Sequence, residues 1–344
     1  MPAPVNTSQL EHYIVQAPLG GGPSTPALAA AVAEAGALGF LAAGYKSVDS
    51  LRGDLTALRA LTDRPFGVNL FAPPAAPGDP GEVAGYAERL QDEAERRGVA
   101  LGEPIHDDDG WDAKLDLCVE EQVPVVAFTF GCPEPRVLER LRGVGCATWV
   151  TVTTAAEAES AARAGADALV VQGAEAGGHR GSFDARRPGA IGLLALLQLV
   201  RRVTDLPLVA TGGIGDGRGV AAVLAAGASA AQLGTAFMLT PEAGTSPAHR
   251  EALRGDRPTA MTRAFTGRTA RGIENRFMRE HSAAAPVAYP EIHHLTAPLR
   301  AAAREAGDAE GFHLWAGEAY ALARELPAAE LVEELAAAAR TQLA

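Results

Sequence analysis

Residues 154–183 read TAAEAESAARAGADALVVQGAEAGGHRGSF. Thr154 followed by Glu157 is a capping box, in which a hydroxyl and a carboxylate satisfy free N–H groups at a helix start. The alanine-rich run behind it favours helix, and Gly165 is placed to end it. Ala168–Gln172, ALVVQ, is then a short, continuously apolar run. The lack of alternation suits a strand buried on both faces, as in a parallel sheet. A glycine-rich loop completes the unit.

The same helix-to-strand joint recurs as EAGALG at 34–39, RAGADA at 163–168 and AAGASA at 225–230. Eight strand-length runs can be marked: Tyr13–Ala17, Leu38–Ala42, Phe66–Leu70, Val125–Phe128, Ala147–Val152, Ala168–Gln172, Leu208–Thr211 and Ala231–Gly234. Thr25 with Pro26, and Asp216, supply further helix starts. Eight strands alternating with helices predict an α/β fold, a (β/α)8 TIM barrel, over a doubly wound sheet. Two intervals depart from the repeat. Residues 72–124 open with a proline-rich loop and contain one expected helix, Glu82–Arg97. Residues 240–290 are Arg-rich and hold a strand-like run, Ala260–Phe265. The expected division is a barrel with C-terminal helices over 1–239 and 286–344, and a small Arg-rich α/β subdomain, a lid, over 240–285. The tail, 291–344, is expected to be helical throughout.

Composition narrows the class. Of 344 residues 47% are hydrophobic but only 5% aromatic, because 72 are alanine. The chain has no apolar stretch of the roughly 18 residues a membrane span requires. The first fifteen residues lack the basic and apolar regions of a secretory signal, so a cytoplasmic protein is expected. Three cysteines without CxxC spacing predict neither a disulfide framework nor a zinc site, and no metal is expected. The net charge of −12 argues against nucleic acid or an anionic membrane as partner. The acidic run Asp107–Asp109 lacks ligand spacing and reads as a solvated turn.

Chemistry is expected at strand ends, since barrel active sites lie on the loops that follow the strands. After strand six, Gly177-Gly178 lets the backbone approach a ligand, and His179 follows in a segment too glycine-rich to be a core face. Glu175 either positions this loop or is solvated; Arg180 faces an anion or water. After strand seven comes TGGIGDGRG, 211–219; after strand eight comes AQLGTAF, 231–237. Two such loops in consecutive positions, with a helix N-terminus behind the first, are how a barrel holds phosphate on backbone N–H groups. After strand one, QAPLGGGPSTP (16–26) offers a surface without side chains, against which a flat ring could lie. Asn69, inside the apolar run of strand three, brings a donor and an acceptor to the mouth.

Taken together these segments resemble the nitronate monooxygenase family, along with GVNLF (67–71), ARGIENRFM (270–278) and the tail LWAGEAYALARELPAAELV (314–332). The resemblance implies an FMN-dependent barrel enzyme. Matched by motif, Pro18, Leu19 and Gly20 would lie beside the flavin ring, with Asn69 and Gln172 hydrogen-bonded to it and Gly177 and Gly178 against it through backbone. Gly213, Gly215, Gln232, Gly234 and Thr235 would hold the phosphate, and His179 would be catalytic. Glu291 and His293 stand where an amide-containing segment is common, and would alter the pocket.

The implied reaction is oxidative denitrification of an alkyl nitronate, such as propionate 3-nitronate, with O2 to a carbonyl compound and nitrite. The partners are then a small nitronate or nitroalkane and O2. The apolar tail helices either close the barrel or form a homodimer. The rival from the same fold is an NAD(P)H-dependent FMN reductase of enoyl thioesters or quinones. A further rival is a barrel for another phosphorylated ligand, such as a sugar-phosphate isomerase.

Overall fold

In the computed structural model, residues 10–74 and 76–344 are described. The leaderless reading of the N-terminus therefore falls largely outside the described residues. Eleven strands occur among them: β1 Ile14–Gln16, β2 Gly39–Ala42, β3 Phe66–Phe71, β4 Val125–Thr129, β5 Ala147–Val152, β6 Ala168–Gln172, β7 Gly178–His179, β8 Leu208–Thr211, β9 Ala230–Leu233, β10 Thr259–Thr262 and β11 Ala270–Ile273. Eight form one parallel sheet in the order β1-β9-β8-β6-β5-β4-β3-β2. A parallel bridge between Val15 and Leu38 joins its two edges, so the sheet closes into a (β/α)8 barrel. All eight strands expected from sequence are present.

The barrel interior is filled by Phe40, Trp149 and small or branched residues such as Val15, Val125 and Ala230. The Phe40 and Trp149 rings lie 5.7 Å apart. A Cβ at Gly67 would come within 2.2 Å of the Phe40 ring, so glycine there makes room for the large residue opposite. The helix starts read from sequence carry side-chain caps: Thr25 accepts from Leu28 N, Thr154 from Glu157 N and Asp216 from Gly219 N.

A second, antiparallel sheet has the order β10-β11-β7. Here Ala270 pairs with His179 and Arg271 with Gly178. The Arg-rich segment after the barrel is thus stitched to the loop after β6. Beneath it lies a separate core, in which Tyr86 and Leu90 meet Phe265, Phe277, Ile292 and Leu299.

Two expectations need correction. The helix expected over Glu82–Arg97 is two, Pro80–Arg89 and Gln91–Arg97, because Leu90 turns to ψ near −1° while its side chain stays fully buried. A third helix, Trp111–Glu120, follows. The tail is helical only over Glu291–Glu305 and Ala328–Leu343; between them LWAGEAYALARELP is irregular apart from one turn, Tyr320–Leu322. Gly317 N there donates to Thr235 Oγ1 at 3.0 Å, and Glu318 N to Glu175 O at 3.0 Å. Crossing the barrel mouth overrides the helix propensity of its alanines.

Candidate active site

A cavity of about 340 Å³ opens at the carboxyl ends of the strands. Pro18, Leu19, Gly20, Asn69, Gln172, Gly177, Gly178, His179, Gly213, Gln232, Gly234 and Thr235 all line it. Residues named from the ends of five barrel strands and the loops that follow them thus converge on one space. Gly215 does not line it: a Cβ there would meet Leu322 at 2.7 Å.

Each loop is held from behind. The Gln16 carboxamide accepts from Phe40 N at 2.9 Å and donates to Ser24 Oγ at 3.1 Å. Ser24 Oγ in turn accepts from Leu19 N at 2.8 Å, fixing the 17–22 loop. Asn69 Oδ1 accepts from Thr129 Oγ1 at 2.9 Å, which leaves its amide hydrogens for the cavity. Gln172 is largely spent on its own loop: Oε1 accepts from Gly181 N at 2.8 Å and Nε2 donates to His179 O at 3.0 Å. One Nε2 hydrogen remains for a ligand. Glu175 positions the loop, with both oxygens accepting from Leu193 N. Arg180 faces neither an anion nor water. It is fully buried, and its guanidinium donates to the carbonyls of Gly173, Gln172 and Pro188.

His179 is half-buried, with Phe130, Tyr289 and Trp315 around it at ring separations of 5.7, 6.1 and 5.4 Å. Its Nε2 lies 2.9 Å from Thr266 Oγ1. The Thr266 hydroxyl hydrogen can go to the Arg268 carbonyl at 3.2 Å. In that arrangement Nε2 carries the imidazole proton, and Nδ1 is the free acceptor. Burial, with help from Arg268 and Arg300, pushes the imidazole down to about 3, so it is neutral at neutral pH.

Sequence reasoning missed most of the surrounding wall. Tyr45, Thr266, Arg300, His313 and Trp315 line the cavity. Arg300 is 7% exposed, and Arg268, stacked on the Phe130 ring behind the cavity, is 5% exposed. Neither has a carboxylate within ion-pair distance among the described residues. Burial lowers both to about 10, so both stay charged at neutral pH. Arg300 NH2 lies 3.2 Å from His293 Nδ1 and donates to His293 O at 2.7 Å.

His293 does reach the pocket, stacked on Tyr45 at 3.9 Å. Glu291 does not; it accepts from Gly78 N and meets His106. Nor is Asp109 simply solvated. It accepts from Tyr45 N at 3.0 Å and pairs with the buried Lys114 at 2.7 Å, anchoring Tyr45 at φ 66°. A sequence signal toward the missed residues was the tail motif around Trp315, which carries the resemblance but no assigned role.

The pocket suits a planar ligand with an anionic tail. The backbone N–H groups of Gly213, Gly234 and Thr235 have no protein acceptor among the described residues. A Cβ at Gly20 would meet nothing within 4 Å, so a ring can lie against that bare backbone. Asn69 adds free amide hydrogens beside it. This donor set fits FMN.

Fold and site together define a (β/α)8 barrel with a candidate active-site cavity at the strands' carboxyl ends. The family described as nitronate monooxygenase matches residues 4–338. A nitronate monooxygenase of Pseudomonas aeruginosa is 42% identical over 95% of both chains. One of Paraburkholderia phytofirmans is 41% identical, over 95% of this chain and 92% of the relative. Among solved structures, nitroalkane oxidase from Streptomyces ansochromogenes superposes with a TM-score of 0.95 at 53% identity, covering 98% of this chain and 99% of that one. FabK from Thermotoga maritima superposes at 0.77 and 29% identity, over 98% and 95%. The chain belongs to the nitronate monooxygenase family, a group of flavin-dependent enzymes, and is an oxidoreductase. Among the described residues no helix is long and apolar enough to cross a membrane.

Proposed function

We propose that the protein is an FMN-dependent nitronate monooxygenase, converting an alkyl nitronate and O2 to a carbonyl compound and nitrite. Propionate 3-nitronate is a representative substrate. The observation that carries this reading is the convergence on one cavity of His179, three unpaired backbone N–H groups and the bare backbone at Gly20.

FMN, when bound, supplies the redox chemistry. The chain supplies the rest. Gly213, Gly234 and Thr235 would hold the FMN phosphate, and Pro18, Leu19, Gly20, Gly177 and Gly178 would lie against the FMN ring. Asn69 and the remaining Gln172 hydrogen would be free to bond to it. Gly215 acts at one remove, by leaving room for Leu322 and the Ala319 carbonyl of the tail to pack beside the Gly213 loop. His179 stands at the substrate side of the cavity. As a neutral imidazole its Nδ1 takes an α-proton from a neutral nitroalkane; an anionic nitronate, already without that proton, instead raises the imidazole's affinity for a proton from solvent. Arg268 and Arg300 give the interior of an acidic protein a local positive field for that anion. The small β10-β11-β7 sheet serves as the lid that fixes His179.

The test is direct. Purified protein should be yellow with flavin absorbance and release nitrite from a nitronate in air. Colourless protein that cannot be loaded with FMN would exclude the reading.

A further inference from the structure

The charge lining the cavity is one-sided. Two arginines and four histidines line it, and among the described residues none of the chain's 42 Asp and Glu does. Backbone N–H groups after β8 and β9 suffice for a flavin phosphate, so a cation deeper in the cavity is left without an anion. That cation is Arg300, buried on the cavity wall.

Arg300 is held so that one edge stays free. Its Nε donates to Thr296 Oγ1 at 3.0 Å, and the Thr296 hydroxyl donates to Phe265 O at 2.6 Å. Its NH2 donates to His293 O at 2.7 Å and lies 3.2 Å from His293 Nδ1. NH1 has no acceptor among the described residues, so two N–H groups of a fixed, planar guanidinium remain for a ligand. A buried cation without a counter-ion is costly, and an anion bound at NH1 removes that cost.

Tyr45 brings a second donor to the same place. His293, against Arg300, stacks on the Tyr45 ring at 3.9 Å. The Tyr45 hydroxyl is buried without a hydrogen-bond partner, and burial lifts it to about 12, so it keeps its proton. In the closed sheet β2 and β6 lie four places apart, so the loops after them face each other across the mouth. Tyr45 follows β2 and His179 follows β6. Tyr289 stands between them, its ring 6.5 Å from Tyr45 and 6.1 Å from His179.

We propose that Arg300, with the Tyr45 hydroxyl, is the anion anchor for the substrate: it takes the paired oxygens of a planar anion, a nitronate or a carboxylate, on the side of the cavity opposite His179. This rests on the nitronate reading and assigns the residue that sets substrate affinity and orientation, with the reacting carbon turned toward His179.

The experiment uses the flavin-loaded protein with propyl nitronate, a monoanion, and propionate 3-nitronate, which adds a carboxylate. Arg300→Met should raise KM about tenfold or more with kcat within about twofold, and Arg300→Lys should recover part of the loss. Tyr45→Phe, which keeps the stack on His293, should raise KM about threefold. An equal rise for both substrates puts the nitronate oxygens on Arg300; a rise for propionate 3-nitronate alone puts the carboxylate there. KM unchanged for both, or a loss confined to flavin affinity, would overturn the anchor and leave the proposed function standing. In parallel, calorimetry with nitrate and with propionate should show binding whose Kd weakens about tenfold in Arg300→Met. If neither nitronate is oxidised, the proposed function fails. Calorimetry then decides the anchor alone, and a Kd unchanged in Arg300→Met would reject it.

Discussion

At the scale of single residues, the chemistry turns on one imidazole and the hydroxyl behind it. His179 was legible because it follows two glycines at a strand's end, where a core histidine has no place. Thr266 was not legible, because it lies 87 residues away and meets His179 only through the pairing of β7 with β11. His179→Asn should lower turnover about a hundredfold or more while FMN stays bound. Unchanged turnover would remove the residue from the mechanism. Thr266→Val leaves Nε2–H without its acceptor, and should cut kcat/KM about tenfold with flavin affinity unaltered. Because burial holds the free imidazole near 3, kcat/KM should show no histidine inflection between pH 6 and 8. A clear inflection there would contradict a neutral His179.

At the scale of elements, the barrel was readable because each strand is a short apolar run and each helix carries its own start and stop. Those signals are local. What escaped was set by contacts across the mouth. The segment 314–327 has the composition of a helix, yet runs as irregular chain with one short turn where the backbones of Gly177 and Gly317 pass within contact. A Cβ at Gly177 would stand 2.5 Å from both Ala316 C and Gly317 N, and backbone cannot yield as a flexible side chain can. Gly177→Ala should therefore destabilise the protein by about 1–3 kcal/mol and weaken flavin retention. Thermal unfolding with a flavin fluorescence titration would show it. Wild-type values for both would mean the tail does not brace the loop. The acidic run 107–109 teaches the same lesson. Its role as an anchor for Tyr45 depends on Lys114 coming from the next helix, and no spacing rule signals that.

At the scale of the whole molecule, an overall charge of −12 conceals a basic interior. Arg180, Arg268 and Arg300 are buried, and four histidines near the site are held neutral by burial. His179 is pushed to about 3, His249 to about 4, His293 to about 2 and His313 well below its usual value. The unfolded chain binds protons at these groups from about pH 6.5 downward, while the folded chain does not. Stability should therefore fall as pH drops from 6.5 toward 4, by of order 1 kcal/mol per pH unit for a buried group such as His249. Thermal midpoints at pH 7.5, 6 and 5 should decline in that order. A flat profile would mean these histidines find protons in the fold.

The same fold also serves proteins named for other work, as the likeness to FabK shows, so the decisive question is which molecule reduces the flavin. The most direct measurement is anaerobic mixing of flavin-loaded protein with a nitronate or with NADH or NADPH, following flavin absorbance. Nitronate alone should bleach it, with the reduced nicotinamides causing no rapid change. Rapid bleaching by NADH or NADPH, and none by nitronate, would contradict the nitronate monooxygenase reading and favour the reductase.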